Sequence, residues 1–206
     1  MLKNKNQFFV TGIDTEVGKT VVSAILVEAL GADYWKPIQC GDLDHTDANK
    51  VRDLISHPTT TFFPESYLLQ APMSPHAAAA KEGIQLSLSD FVPPTTQNPL
   101  IIEGAGGLMV PFNEKECMID LMEKLSFPVI LVSKIYLGSI NHTLLSIEAL
   151  KRREIEIKGI IFVGEEHPTT EEVIAQHGQI PILGRIDWLA ELNPISIKKA
   201  AQNIQL

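Results

Sequence analysis

A mostly parallel β-sheet with helices on both faces, forming one α/β domain, is the fold class this chain predicts, and three observations predict it. Apolar runs of strand length alternate along the chain with segments of helical periodicity. Several runs, among them Leu100-Ile101-Ile102 and Val129-Ile130-Leu131-Val132, are apolar throughout, as strands buried on both faces are. The third observation is local. Phe8-Phe9-Val10 leads through Thr11-Gly12-Ile13-Asp14-Thr15-Glu16-Val17-Gly18-Lys19-Thr20 into a helical pattern, a strand–loop–helix unit.

Each element has its own warrant. Gln7 to Val10 is a short apolar strand, Gly12 opens a turn, and Val21 to Leu30 carries helical spacing. Ala32 to Ile38 reads as a second strand that Pro37 brings to a stop. Thr46 to Ser56 reads as a helix with Val51, Leu54 and Ile55 on one face. Pro58 to Pro75 is punctuated by prolines and lacks periodicity, so a functional loop region is expected there. Pro75 to Lys81 starts on proline and runs into alanines, as a short helix does, and Ser87 to Phe91 is a further helical piece before Pro93-Pro94. Leu100 to Glu103 is a buried strand, Met118 to Leu125 a helix, and Pro128 to Val132 a strand. Gly138 to Arg153 is a long helix, Lys158 to Val163 a strand, Thr169 to His177 a helix, Ile180 to Leu183 a last strand and Pro194 to Ile204 a closing helix. No internal repeat or second domain interrupts this order, and 206 residues suit one domain with a substantial core.

Composition excludes several function classes. A formal net charge of −8 argues against a nucleic-acid surface, and the one basic run, Lys151-Arg152-Arg153, suits the C-terminal end of a helix dipole. Cys40 and Cys117 are far apart and match no metal-ligand spacing, so reduced thiols in a cytoplasmic protein are expected. Met1 to Asn6 is polar and the apolar run after it is too short for a signal peptide; no window reaches the length of a membrane span.

The glycine-rich loop carries the chemistry. Placed between a strand and a helix, it turns successive backbone N–H groups and the positive helix end onto a phosphate. Lys19 would then reach the β- and γ-phosphates and the Thr20 hydroxyl would ligate Mg²⁺, in the manner of a P-loop NTPase. Five residues separate Gly12 from Gly18, where the usual P-loop has four. In open α/β sheets ligands sit at the carboxyl ends of the strands. Glu103 ends a strand as a metal-holding acid does, before the small residues Gly104-Ala105-Gly106-Gly107 that allow close backbone approach. Lys36 at another strand end faces either solvent or an anion. Asp47 is not distinguished locally from Asp42 or Asp44, and His76 and His142 each read more readily as structural than catalytic.

Taken in order, Thr11-Gly12-Ile13-Asp14-Thr15-Glu16-Val17-Gly18-Lys19-Thr20, Lys36-Pro37 with Gly41, Ser74-Pro75-His76, Glu103-Gly104-Ala105-Gly106-Gly107 and Leu137-Gly138-Ser139-Ile140-Asn141-His142 resemble the dethiobiotin synthetase family over nearly the whole chain. The resemblance implies ATP-dependent carboxylation and ring closure of 7,8-diaminopelargonic acid with CO₂ or bicarbonate, giving dethiobiotin, ADP and phosphate. It implies Mg²⁺ at Thr20, Asp47 and Glu103, and catalytic lysines Lys36 and Lys19. Nucleotide contacts are implied at Glu16, Val17, Gly18, Lys19, Thr20, Val21, Asp47, Glu103, Gly104, Ala105, Gly106, Val163, Gly164, Gly184, Arg185, Ile186 and Glu191. Substrate contacts are implied at Thr15, Cys40, Ser74 and Pro75, with Leu137, Gly138 and Asn141 reaching the substrate carboxylate across a homodimer interface.

Three positions depart from the family's pattern. Cys40 stands where a serine or threonine is usual, which replaces a hydroxyl hydrogen bond by a weaker thiol one. Tyr136 stands where many members have lysine; Lys134, two residues earlier, would share its strand face. Val163 replaces an asparagine that reads the adenine edge, so weak base discrimination is expected. Two other readings fit the sequence less well. A cobyrinic-acid-type amidoligase needs a glutamine-hydrolysing domain for which this chain has no room, and a partition-type ATPase switch usually has a second lysine early in the loop, absent from Gly12 to Val17.

Overall fold

The computed structural model describes residues 6–206; Met1 to Lys5, most of the polar segment considered above, lie outside the described residues. In chain order the elements are β1 (Gln7–Gly12), α1 (Lys19–Leu30), β2 (Asp33–Trp35), β3 (Ile38–Cys40), α2 (Asp47–Leu54), β4 (Phe62–Phe63), β5 (Tyr67–Leu69), α3 (Pro75–Glu82), β6 (Leu100–Gly107) and α4 (Met118–Leu125). They continue with β7 (Val129–Lys134), α5 (Ser139–Arg152), β8 (Ile157–Val163), α6 (Pro168–Gly178), β9 (Ile182–Ile186) and α7 (Pro194–Ala201).

Seven strands form one sheet in the order β4-β2-β6-β1-β7-β8-β9, and every pair in it is parallel. Alternation along β1 divides the core into two layers. Phe8 and Val10 pack with Val22, Ile25 and Leu26 of α1, Val51 of α2 and Ile197 of α7. Phe9 points the other way, among Leu121 and Met122 of α4, Ile147 and Leu150 of α5 and Ile174 of α6. Each fully buried aliphatic or aromatic side chain of this kind contributes about 1.5–3 kcal/mol. The chain moves from β1 outward to β2 and β4, then returns to β6 and on to β7 on β1's other side. The strand order therefore switches direction beside β1, where α/β sheets open a crevice.

Several elements differ from the sequence expectation, among them the strand expected over Leu100 to Glu103, which continues to Gly107. The strand read as Ala32 to Ile38 is two strands: Pro37 lacks an amide for the ladder, and its carbonyl instead accepts from Ser66 N (2.9 Å) and Tyr67 N (3.1 Å). That bend starts a second, two-stranded sheet of β3 and β5. The unpatterned stretch from Pro58 to Pro75 holds β4 and β5, which are too short for an alternation to register. Ser87 to Phe91 makes only a 3₁₀ turn, Leu88–Asp90. The last strand begins beyond Pro181 and runs to Ile186, and the closing helix ends early because Gln205 N donates to Leu183 O (2.8 Å), folding the tail over β9.

Candidate active site

The loop between β1 and α1 has a backbone geometry that suits an anion. Glu16 (φ 54°) and Gly18 (φ 95°) both take the left-handed conformation, which aims successive amides at one point. At Gly18 a side chain would be strained in φ and would sit 3.3 Å from Val163 Cγ1. Gly18 is also the N-cap of α1 and supplies no side-chain cap, so the positive helix end faces the loop uncovered. Lys19 is buried, and its ammonium donates to the Asp14 carbonyl across the loop (3.0 Å). Burial is the main influence on it and pushes its pKa down to about 8, against the opposing pull of Glu103.

Strand register brings the acid to the loop. Val10 of β1 is paired with Glu103 of β6, so Glu103 ends beside the phosphate loop on the α1 face of the sheet. Its Oε1 accepts from Thr20 Oγ1 (2.9 Å) and from Lys36 Nζ (3.1 Å). Lys36 follows β2, whose Trp35 pairs with Ile102, so one further step sets Lys36 opposite Glu103. The Lys36 ammonium also donates to Asp47 Oδ2. Lys36 is therefore a buried cation paired with two carboxylates, not a solvated lysine.

Burial alone would lower the Lys36 pKa, but Glu103 and Asp47 outweigh it and raise it well above the usual lysine value. Burial raises Asp47 and Lys36 lowers it; the ion pair wins, and the carboxyl lies below its ordinary value. Asp47 opens α2 behind the N-cap Thr46, and its amide donates to Gln39 Oε1 (3.2 Å). Lys50 donates to both Asp47 Oδ1 (3.1 Å) and Asp42 (3.0 Å), but Asp42 and Asp44 are exposed and do not meet Lys36.

These groups line one cavity of about 700 Å³. Thr15, Glu16, Gly18, Lys19, Thr20, Val21, Lys36, Asp47, Glu103, Ala105 and Gly106 line it, together with Cys40, Ser74 and Pro75 and the apolar Ile38, Met73 and Val110. Burial pushes the Cys40 thiol up to about 11, Lys36 only partly offsetting it, so Cys40 is a weak neutral donor. The oxygen-only set of Thr20, Asp47 and Glu103 is the hard donor chemistry that suits Mg²⁺, and all three meet at one ion-pair network around Lys36.

Other expected contacts lie elsewhere. Val17 is buried behind the loop, and Gly104 turns from the cavity, where a Cβ would strike the Phe9 ring at 2.8 Å. Leu137, Gly138 and Asn141 line a separate depression with Tyr136, Ile140 and Trp188. Val163 packs beneath Gly18, and Gly164 N donates to Ile186 O (2.9 Å) under the Trp188 ring. Gly184 makes room for the Asn203 carbonyl and Ile204, Arg185 pairs with Asp187 (2.8 Å), and Glu191 accepts from Asn193 Nδ2 (3.1 Å). β7 stops at Lys134, so strand alternation does not carry to Tyr136; Lys134 Nζ lies 5.4 Å over the Trp188 ring and Tyr136 bonds His142 (2.7 Å). His142 and the exposed His76 stay out of the cavity. Tyr34, Gln39 and Trp188 carry no motif of their own in the sequence, although each lies within two residues of a singled-out position: Lys36, Cys40 and Ile186.

Comparison with known proteins gives a consistent picture. A family model described as an AAA domain matches residues 6–196. A protein of Christiangramia forsetii named ATP-dependent dethiobiotin synthetase BioD is 54% identical over 198 residues, covering 96% of this chain and 95% of that one. Proteins of the same name from Afipia carboxidovorans and Cytophaga hutchinsonii are each 48% identical, covering 93% and 86% of this chain and 91% and 86% of theirs. Among solved structures, a ParA family ATPase from Chlorobium tepidum is similar with a TM-score of 0.54 at 13% identity, over 95% of this chain and 97% of that chain. A septum site-determining protein MinD from Pyrococcus horikoshii matches with a TM-score of 0.54 at 14% identity, over 94% and 86%. At such identities these two likenesses concern the fold alone.

Proposed function

The chain belongs to the ATP-dependent dethiobiotin synthetase family, and we propose that it carboxylates 7,8-diaminopelargonic acid and closes the ureido ring of dethiobiotin with ATP and CO₂. The observation that carries the reading is the cavity, where a phosphate loop, a buried lysine held by two carboxylates and an apolar wall meet.

One substrate amine adds to CO₂ and loses a proton, leaving a carbamate. A carbamate oxygen attacks the γ-phosphorus, ADP leaves, and a carbamic-phosphoric anhydride forms. The second amine then attacks the carbonyl carbon, phosphate departs and the ring closes. Phosphoryl transfer needs charge placement more than covalent help. Lys19 and Lys36 both line the cavity, so two cations would act on the transferred group. Mg²⁺, held by Thr20, Asp47 and Glu103, would neutralise charge on the phosphate oxygens. Ile38, Met73 and Val110 offer the aliphatic chain of the diamine an apolar surface, and Thr15, Cys40, Ser74 and Pro75 are the substrate-side contacts. Leu137 is fully exposed and Ile140 and Leu145 partly so, which supports a homodimer in which this face, with Gly138 and Asn141, completes the substrate site of the partner. Among the described residues no helix is long and apolar enough to cross a membrane. We place the enzyme in the cytoplasm, where its free thiols Cys40 and Cys117 stay reduced.

Phosphate release from ATP is expected to require diaminopelargonate and bicarbonate together, with dethiobiotin detected by mass. Release that proceeds equally without either would overturn the assignment.

Base choice follows from Val163. The nucleotide site implied along Val163, Gly164, Gly184, Arg185, Ile186 and Glu191 offers an adenine edge no amide at 163, where the side chain is a valine buried against Gly18. A bidentate amide–base pair gives about 1–3 kcal/mol of discrimination. Without it GTP and CTP are expected to support ring closure with kcat/KM within about tenfold of ATP. Steady-state kinetics with each nucleotide check this, and a thousandfold preference for ATP contradicts it.

A further inference from the structure

Glu103 carries two oxygens with separate partners. Oε1 receives Thr20 and Lys36. Oε2 receives the phenol hydroxyl of Tyr34 at 2.9 Å, with both side chains almost wholly out of solvent. The sheet sets up this contact. Tyr34 of β2 pairs with Ile101 of β6, and both point to the α1 layer, so Glu103, two residues on, lies diagonally across the same face. Diagonal neighbours of this kind are about 7–8 Å apart at the backbone, a span that an aromatic side chain bridges. The Tyr34 ring is held from its other side by Phe62, with centroids 5.7 Å apart.

We propose that Tyr34 is a positioning residue that fixes Glu103 Oε2, so that the carboxylate presents Oε1 alone to the cation and the phosphates. The inference rests on the reading that Glu103 faces Mg²⁺. The terminal torsion of a glutamate is broad and nearly two-fold, so a carboxylate held by Thr20 and Lys36 at Oε1 alone can still tilt to offer both oxygens at once. A buried phenol that must satisfy its own hydroxyl removes that freedom, and leaves one oxygen for the small octahedral Mg²⁺ shell. Tyr34 touches neither nucleotide nor metal in this arrangement; it acts through Glu103. Partners of this outer kind typically change metal affinity by about 10–100-fold when removed.

The test uses the full chain with ADP and Mn²⁺ as the spectroscopic probe, free Mn²⁺ being read by electron paramagnetic resonance. Four proteins are compared: wild type, Tyr34→Phe, Glu103→Gln and Phe62→Leu. Tyr34→Phe is expected to weaken Mn²⁺ binding about 10–100-fold. Its kcat at saturating Mg²⁺ should stay within about threefold of wild type, so the defect falls on metal half-saturation rather than on turnover. Phe62→Leu loosens the same wall without touching the carboxylate and should bind Mn²⁺ within about twofold of wild type. If Tyr34→Phe binds like wild type while Glu103→Gln is weakened, the positioning role falls and the metal reading stands. If Glu103→Gln is also unchanged, the metal reading itself falls and takes the inference with it. A loss in Phe62→Leu as large as in Tyr34→Phe would mean packing, and overturns the proposal. Should Tyr34→Phe not fold, ¹³Cζ-tyrosine labelling of wild type gives one signal for each of three tyrosines. The Tyr34 signal must then move with the midpoint of Mg²⁺ binding, and a Tyr34 signal indifferent to Mg²⁺ refutes the role.

Discussion

Lys19→Ala is expected to lower turnover about a thousandfold while leaving the melting temperature at pH 7 unchanged or slightly raised. The first half follows from placement, since one preorganised donor aimed at developing charge is worth about 10²–10³ in rate, and a cation on the phosphoryl group at least as much. The second half reverses the simple view of a solvated loop lysine. Lys19 is buried, and burial depresses its pKa to about 8, which means the folded protein disfavours its charged form. The sign is therefore the opposite of an ion pair's. The penalty is present below pH 8, and it fades as pH rises through the folded value toward the ordinary 10.5. Alanine removes the penalty along with the hydrogen bond to the Asp14 carbonyl, so the two losses offset each other. Near-normal turnover in the purified variant, or a collapse of its melting transition, contradicts this account.

The same shift sets a pH profile. A triphosphate binds the protonated ammonium, so apparent nucleotide affinity should be flat below pH 8 and fall by about tenfold per unit above it. Calorimetry in buffers of different ionisation enthalpy should show proton uptake on binding near pH 8.5. In Lys19→Ala both the slope and the uptake should vanish.

The parts of the site that were legible in the sequence are those a single segment encodes. The loop from Gly12 to Thr20 and Glu103, the acid that follows an apolar run and precedes four small residues, announce themselves by composition and order along the chain. The parts that were not legible depend on pairing between segments. Asp47 differs from Asp42 and Asp44 only because α2 starts where its carboxylate meets Lys36. Tyr34 lies in Asp33-Tyr34-Trp35, a strand buried on every side chain, so no alternation marked which face it served. The fold followed the same rule. Long apolar strands were readable, whereas the break at Pro37 that founds the second sheet depends on Ser66 and Tyr67, nearly thirty residues downstream.

Lys36→Gln brings the two kinds of consequence together, because Lys36 is at once the internal counter-ion of Asp47 and Glu103 and the catalytic lysine of the proposed reaction. Its pKa is raised, so its contribution to stability is complete below pH 10.5 and is lost only at higher pH; that of Asp47 is complete above 3.8 and lost below it. Across neutral pH the network is intact. Breaking a buried ion pair by removing one partner costs about 3–5 kcal/mol, and an amide, which still donates hydrogen bonds, should recover part of that. At about 2–4 °C per kcal/mol for a chain of this size, the metal-free variant should melt roughly 5–15 °C below wild type. Mg²⁺ supplies a second cation to the same two carboxylates, and a ligand at a hundred times its Kd stabilises by about 2.7 kcal/mol. The variant should therefore gain more from Mg²⁺ than wild type does, in which Lys36 already holds both acids. Nucleotide affinity, dominated by Gly18, Lys19 and Thr20, should change by less than about threefold, whereas dethiobiotin formation should fall about a thousandfold. Differential scanning fluorimetry with and without Mg²⁺, calorimetric ADP binding and product assay measure the three quantities on one preparation. Equal losses in binding and ring closure would reduce Lys36 to a general phosphate contact, and a melting temperature indifferent to both the substitution and Mg²⁺ would remove it from the carboxylate network.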